Sequence, residues 1–362
     1  MIDRRIFLTQ AGSLGLSASL AGLANAALNP SIARPRKSGV VQTVLGPIPG
    51  DRMGFTAPHE HVLASSTSFL RLWPEYLGGR SRIATIAVER MKSAKAAGID
   101  TIVDCTTADL GRDVRLLQEV SRRSGVHIVA ATGHWLTPTP SFEARTADEL
   151  ADFFTLEIER GIEDTGIKPG VIKAACEGDA MTQFQENVFK AAARASKRTG
   201  VPVTTHSDAR HRGGEQQAAI FEQEGLEPQR VCIGHSDESA DFDYLLGLAR
   251  RGYTLGFDHL FYGLASMGAG ANSIPTWQDR AAMIKKLIDA GLNARIFLAN
   301  DWMFALTISP TGTLDVLTER NPAGNLFNIR NTIPHLRQIG VTNEQIRMIT
   351  VVNPQAFFAS SR

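Results

Sequence analysis

Cysteine is scarce in this chain: there are three among 362 residues, Cys105, Cys176 and Cys232. The number is odd and each lies in an apolar run. A disulfide framework is therefore excluded as an organising device, and buried strand thiols are expected. Net charge is scarce as well. The formal balance is +1 at pH 7, and Lys and Arg form no long block. That leaves no footprint for a phosphate backbone, so nucleic acid is not an expected partner. Beyond the N-terminal segment, no stretch is long and apolar enough to cross a bilayer. No internal repeat is visible, and no linker splits the chain after its first residues. The sequence also lacks a Gly-rich phosphate turn after its first strand-like run. Pro58-His59-Glu60-His61 stands there instead, which argues against a doubly wound nucleotide-binding sheet.

What is present is ordinary globular material, 43% hydrophobic and 21% charged, enough for a sizeable core. Length alone suggests two domains, but α/β barrels of this size often fold as one. Residues 1–26 stand apart. Asp3-Arg4-Arg5-Ile6-Phe7-Leu8 precedes a weakly apolar, uncharged run that ends in Ala24-Asn25-Ala26. This reads as a twin-arginine-type signal with an A-x-A-like cleavage site. An uncleaved anchor is the competing reading. No cysteine sits at the cleavage region, so a lipoprotein anchor is not indicated. The expected partner is the twin-arginine export machinery, and the expected location is periplasmic or membrane-associated. Residues 27–39 read as a flexible N-terminal segment, and 40–362 as a single catalytic domain.

From Gly54 onward, short strand-like runs alternate with longer amphipathic ones. The strand candidates are Phe55–His59, Thr101–Cys105, His127–Ala131, Gly170–Ala174, Pro202–His206, Arg230–His235, Tyr253–Asp258 and Arg295–Asn300. Helical patterns cover Ile83–Ala97, Arg112–Ser124, Ala147–Asp164, Phe184–Thr199, Glu215–Glu224, Phe242–Arg251 and Thr276–Ala290, and several end in Gly at a C-cap position. Eight strands each followed by a helix predict a (β/α)8 TIM barrel. Val40–Ile48 reads as a hairpin capping its N-terminal side. Two long loops, Phe261–Asn272 and Leu306–Asn325, follow strands seven and eight, on the face where a barrel builds specificity.

Six residues lie at or near the ends of these runs: His59, His61, Lys173, His206, His235 and Asp301. In a parallel barrel such positions converge on one mouth. His59-x-His61 has period two, so both imidazoles leave one face of an extended strand. Two imidazoles on one face are half of a metal site. A lone histidine after a strand is usually structural, but His206 and His235 repeat the placement on nearby strands. Asp301 could cap the next segment. Beside four histidines, it reads as a hard oxygen ligand. Lys173 sits in an apolar run and must be paired, neutralised or modified. Together the set points to a binuclear metal centre and metal-assisted hydrolysis. His127, His134, His211 and His335 lack such placement and read as surface or packing residues.

The pattern of His-x-His, strand-four Lys, strand-five and strand-six His and strand-eight Asp resembles the amidohydrolase superfamily. The likeness is closer still to bacterial phosphotriesterases. It is carried by Thr56-Ala-Pro-His-Glu-His61, Ile102-Val-Asp104, Gly111-Arg-Asp113, Val129-Ala-Ala-Thr-Gly133, Ile162-Glu-Asp-Thr-Gly-Ile167, Thr204-Thr-His206, Gly214-Glu-Gln-Gln217, Cys232-Ile-Gly-His-Ser-Asp237, Gly256-Phe-Asp-His259 and Asn300-Asp-Trp302. It runs from about Val40 to Phe358.

The resemblance implies that His59, His61 and Asp301 bind a more buried divalent cation, and that His206 and His235 bind a more exposed one. Lys173, carbamylated by CO2 to N6-carboxylysine, and a hydroxide would bridge them. Zinc is the expected metal, with cobalt, manganese or iron as alternatives. The implied reaction is hydrolysis of an aryl dialkyl phosphate to a dialkyl phosphate and a phenol. Asp301 would take the proton and pass it to His259. The relay of the family's best-known members ends in an aspartate; here Glu238 stands in that place. Tyr262 stands where a second pocket histidine is often found, and the strand-seven loop is shorter. Trp135 and Leu136 would flank the leaving group. Ala64, Leu110 and Met303 would line a small ester pocket, with Leu306, Ser309 and Leu317 forming the remainder. For each of these, plain packing is the competing reading. A lactonase on the same site is the alternative activity, since the metal chemistry barely separates phosphorus from carbon. Homodimerisation is implied by resemblance only.

Overall fold

A computed structural model describes residues 39–65, 75, 79–261, 275–309, 312–313 and 321–359, without the side chains of 306–309. The signal, the segment 27–38, Tyr262 and Leu317 lie outside the described residues. The chain enters through an antiparallel hairpin, β1 (Val40–Thr43) and β2 (Gly46–Pro49). The barrel strands then follow as β3 (Thr56–Ala64), β4 (Thr101–Asp104), β5 (His127–Gly133), β6 (Val171–Ala175), β7 (Val203–His206), β8 (Val231–Ile233), β9 (Thr254–Phe257) and β10 (Ile296–Leu298). Each pairs in parallel with the next along the order from β3 to β10. Seven helices alternate with them: α1 (Arg80–Ala96), α2 (Val114–Ser124), α3 (Ala147–Arg160), α4 (Gln183–Thr199), α5 (Gly213–Gln223), α6 (Phe242–Arg251) and α7 (Trp277–Asp289). Local chemistry sets their ends. Thr146 with Glu149 and Thr182 with Gln185 form capping boxes, and Gly125, Gly200 and Gly252 close helices in the left-handed conformation.

Two expectations need correction. The pattern read as Ala147–Asp164 stops at Arg160. Gly161 adopts φ 105, and Ile162 N bonds back to Ile167 O, so the chain turns there. The run from Leu306 is not loop throughout. Met303–Ser309 forms β11, which pairs in parallel with β3 and antiparallel with β12 (Gly312–Thr313).

That second strand explains how the sheet closes. Strand eight is broken into β10 below and β11 above. β10 pairs with β9, and β11 pairs with β3. Between them Ala299 N donates to Phe257 O and Asp301 N donates to His59 O, both at 3.0 Å. One segment thus joins strand seven to strand one, and the curled parallel sheet becomes a TIM barrel.

Inside, Val103, Val129, Val171 and Phe297 share one apolar cluster with Val41, Met53, Phe357 and Phe358. The alternate residues Ile102, Ile128, Ile172 and Ile296 pack in the other cluster, with residues of the helices. This is the expected period-two division of barrel strands. The hairpin and the C-terminal phenylalanines fill the bottom, and polar groups collect at the mouth. All three cysteines are buried and free, as their scarcity implied.

Glu60 holds the closure together. Its carboxylate is fully buried and accepts from Asn300 N (2.9 Å), Asn300 Nδ2 (3.0 Å) and Trp302 N (3.0 Å). Glu60→Ala would leave two buried backbone N–H groups unpaired and remove one of the two acceptors of Asn300 Nδ2, at about 1–3 kcal/mol for each unpaired group. The expected outcome is a loss of about 3 kcal/mol or more, read as a lower urea midpoint. An unchanged midpoint would show that the strand-eight break is held by other contacts.

Candidate metal centre

The first question is how β3 aims two histidines into the mouth. Ala57 pairs with Ile102, and Glu60 pairs with Asp104. β3 therefore carries one extra residue between them, a bulge. Ala57 packs outward in the helix-side core. Strict alternation would send His59 and His61 outward too. The bulge reverses the parity and turns both rings inward.

Protonation of each ring follows from its outer partner. The Asp258 carboxylate lies 2.7 Å from His59 Nδ1 and 2.8 Å from His235 Nδ1. Both rings therefore carry Nδ1–H, and their Nε2 atoms are bare. Thr106 Oγ1 donates to Leu63 O at 3.1 Å, so it accepts from His61 Nδ1 at 2.8 Å, and His61 Nε2 is bare as well. Glu177 Oε1 lies 3.2 Å from His206 Nε2; with the ring proton on that nitrogen, His206 Nδ1 is bare.

These bare atoms meet one another. His61 Nε2 is 3.0 Å from Asp301 Oδ1, and His206 Nδ1 is 2.7 Å from His235 Nε2. Asp301 Oδ1 is buried and makes no hydrogen bond. With each ring neutral and its proton on the outer nitrogen, each pair sets lone pair against lone pair, a repulsive contact that a cation would relieve. Three imidazole-carboxylate groups with metal-ligand spacing occur here: His59, His61 and Asp301; His59, His235 and Asp258; His235, His259 and Asp301. Nitrogen and carboxylate donors of this kind suit zinc and similar divalent ions. Lys173, 1% exposed, reaches the same mouth. Its Nζ is 2.7 Å from His59 Nε2 and 3.3 Å from Thr205 O. The residues present thus fit two cations.

Backbone geometry adds to the picture. His235 and Asp301 adopt φ 55 and φ 47, a left-handed conformation that costs roughly 1–3 kcal/mol for residues other than glycine. Gly133, at φ 110, lies against the lysine's strand: a Cβ there would meet Lys173 O at 1.9 Å.

A second line of groups leads away from the cluster. Asp301 Oδ2 is 2.8 Å from His259 Nε2, and His259 Nδ1 is 2.9 Å from Glu238 Oε1. Burial works against the charged His259, but Asp301 and Glu238 outweigh it and raise its pKa well above the usual value. Glu238 also resists its burial and is held down to about 2, mainly by His259. Burial would raise Asp301 too, yet His59 and His259 hold it well below the ordinary range. Desolvation drives His235 the other way, well below 6.5, with His259 adding to the effect. His235 is thus kept neutral, as a ligand must be.

The remaining expected residues are placed as follows. Trp135 stands edge-on to His206, with ring centroids 6.0 Å apart. Leu136 lines an open groove of about 630 Å³ beside it, with Pro138, Phe184, Glu143 and Glu177. Ala64 ends β3, Leu110 lies in the turn after β4, where its O accepts from Ser65 N, and Met303 opens β11 opposite His61. Leu306 and Ser309 fall in β11. His134 is buried, packed against Phe142 and Phe184. The sequence reading missed Asp258, Thr106 and Glu177 as partners of the ligands. Asp258 had a signal, a carboxylate beside a site histidine at a strand end. Thr106 and Glu177 had none.

Asp258→Asn keeps the size of the side chain but offers one acceptor where two Nδ1–H groups need one each. The expected result is a 10- to 100-fold drop in metal affinity, the usual effect of losing such a partner, measured by competition with a chromogenic chelator. Unchanged affinity would mean that the imidazoles orient themselves.

Comparison with known proteins gives a consistent answer. The phosphotriesterase family model matches residues 39–358. A phosphotriesterase homology protein of Mycobacterium tuberculosis is 34% identical over 330 residues, covering 88% of this chain and 97% of the relative. An aryldialkylphosphatase of Saccharolobus solfataricus is 33% identical over 310 residues, covering 85% of this chain and 95% of its own. An N-acetyltaurine hydrolase of Danio rerio is 28% identical over 347 residues, covering 88% and 97%. Matched along nearly all of its barrel, the chain belongs to the phosphotriesterase family.

Proposed function

We propose that this protein hydrolyses organophosphate triesters, converting an aryl dialkyl phosphate to a dialkyl phosphate and a phenol. The family is binuclear-metal dependent. The observation that carries the reading is the close approach of ligand-type atoms at one barrel mouth, His61 Nε2 to Asp301 Oδ1 and His206 Nδ1 to His235 Nε2. The substrate class is suggested by the aryldialkylphosphatase relative. His59, His61 and Asp301 would hold one cation, and His206 and His235 the other. Lys173, as its carbamate, would join them; zinc is the first candidate, ahead of cobalt, manganese and iron. Two bound divalent cations would supply hydroxide near neutrality and polarise the oxygen of the electrophile.

The chain's own residues do the rest. Asp301 has two tasks on two oxygens: Oδ1 faces the cluster and Oδ2 faces His259. A proton arriving at Asp301 has a path through His259 to Glu238, and Glu238 is 23% exposed at its side chain, so the path ends near water. The longer Glu238 reaches His259 within hydrogen-bond distance, which supports it as the relay's end. The rigid edge-on indole of Trp135 gives an aromatic leaving group a wall. Export through the twin-arginine route and a homodimer remain part of the proposal.

A second reading has its own support. The N-acetyltaurine hydrolases among the relatives are named for a substrate with a carbonyl electrophile. Nothing in the ligand set separates phosphorus from carbon, so a lactonase is the alternative. Protein reconstituted with zinc or cobalt and bicarbonate is expected to hydrolyse an aryl dialkyl phosphate faster than an acyl lactone. The reverse order would transfer the assignment to lactones. In the same assay Glu238→Ala is expected to slow turnover by up to about 100-fold, the lower range for a lost proton-transfer group. An unchanged rate would send the proton out by another route.

A further inference from the structure

Each of the four imidazoles at the mouth has one nitrogen tied outward. For three of them the anchor is buried: Asp258 serves His59 and His235, and Thr106 serves His61. The fourth is different. Glu177, the anchor of His206, has a side chain that is 57% exposed. It follows β6, the strand that carries Lys173. The backbone of His206 is pinned independently. Cys176 N donates to His206 O at 3.1 Å, and Gln217 Nε2 donates to the same oxygen at 2.9 Å. Trp135 packs edge-on against the ring. What these contacts leave open is the position of the ring proton.

That position matters because of the neighbour. His206 Nδ1 lies 2.7 Å from the bare His235 Nε2. A proton on Nδ1 would make a good imidazole-imidazole hydrogen bond and would close the seat to a cation. A proton on Nε2 keeps the seat open, and among the described residues Glu177 is the one placed to draw it there.

We propose that Glu177 is a positioning residue: it holds the His206 proton on Nε2, so that Nδ1 and His235 Nε2 stay open as a pair for the more exposed cation. This rests on the two-cation reading above. The consequence is an asymmetry between subsites. The cation held by His59, His61 and Asp301 depends on buried partners. The one held by His206 and His235 depends on one buried anchor, Asp258, and one carboxylate in contact with water, Glu177, and it is the first to leave.

The test uses full-length protein loaded with zinc and challenged with excess chelator, with release followed in time. Wild type is expected to release its two ions in a fast and a slow phase. Glu177→Ala should speed the fast phase about tenfold, at the low end for loss of a ligand's hydrogen-bond partner, and leave the slow phase alone. Glu177→Gln retains an acceptor oxygen and should stay close to wild type. General damage to the fold would speed both phases in Glu177→Ala, and that result would overturn the proposal. An unchanged fast phase in Glu177→Ala, or a Gln variant as fast as the Ala variant, would do the same. If wild type takes up fewer than two ions, the two-cation reading itself falls, a result distinct from a two-ion wild type indifferent to Glu177.

Discussion

The mouth of this barrel depends on one buried carboxylate. Asp258 accepts from His59 Nδ1 and His235 Nδ1, and so fixes a ring on each side of the cluster. Its own position is held from beneath. Asp237 accepts from the backbone N–H of Asp258 and of His259, and the Arg280 guanidinium holds Asp237 at 3.0 Å. Arg280 and Asp237 are both 1% exposed. Burying such a pair is costly and adds little net stability. Its value here is positional: the pair locks the end of β9, where Asp258 orients two imidazoles and His259 joins Asp301 to Glu238. Two buried histidines lower the Asp258 pKa far below the carboxylate range against the effect of burial. The ionised form of the anchor is therefore favoured, and it accepts from both Nδ1–H groups.

The second constraint is closure. A continuous eighth strand could not place Asp301 as it lies. Breaking the strand at Ala299–Trp302 allows Asp301 to adopt its left-handed φ, to bond to β3 through its backbone and to offer two separate oxygens to two separate partners. Glu60 makes that break tolerable by taking three of the donors it would otherwise strand. Glu60 sits between His59 and His61, so barrel closure and ligand placement share three consecutive residues.

This explains what could be read from the sequence and what could not. Strand identity was legible because Val103, Val129, Val171 and Phe297 alternate cleanly with the outward isoleucines. The clustered residue types were legible because four histidines, a lysine and an aspartate recur at or near the ends of such runs. The bulge in β3 was not legible: it depends on pairing with β4, and without it the His-x-His pair reads onto the wrong face. The strand at Met303–Ser309 was hidden for the same reason, since its pairing partner lies some 240 residues away in β3. Thr106 and Glu177 are ordinary residues in ordinary loops. Only the fold brings them to His61 and His206.

The cluster is, on its own, unfavourable to the fold. It buries a lysine, sets bare nitrogens against bare acceptors and holds two non-glycine residues in left-handed backbone. Local rules broken in this way mark functional sites, and the remainder of the structure must offset them. The division of the barrel shows where the offset comes from. The lower half is an apolar layer rich in valine and phenylalanine, packed with Val41 of the entry hairpin and with Phe357 and Phe358. The conflict is confined to the upper half, where bound cations would convert each repulsive contact into a ligand pair. Stability and loading are then linked: anything that binds the folded mouth and not the unfolded chain stabilises the fold in proportion to its occupancy.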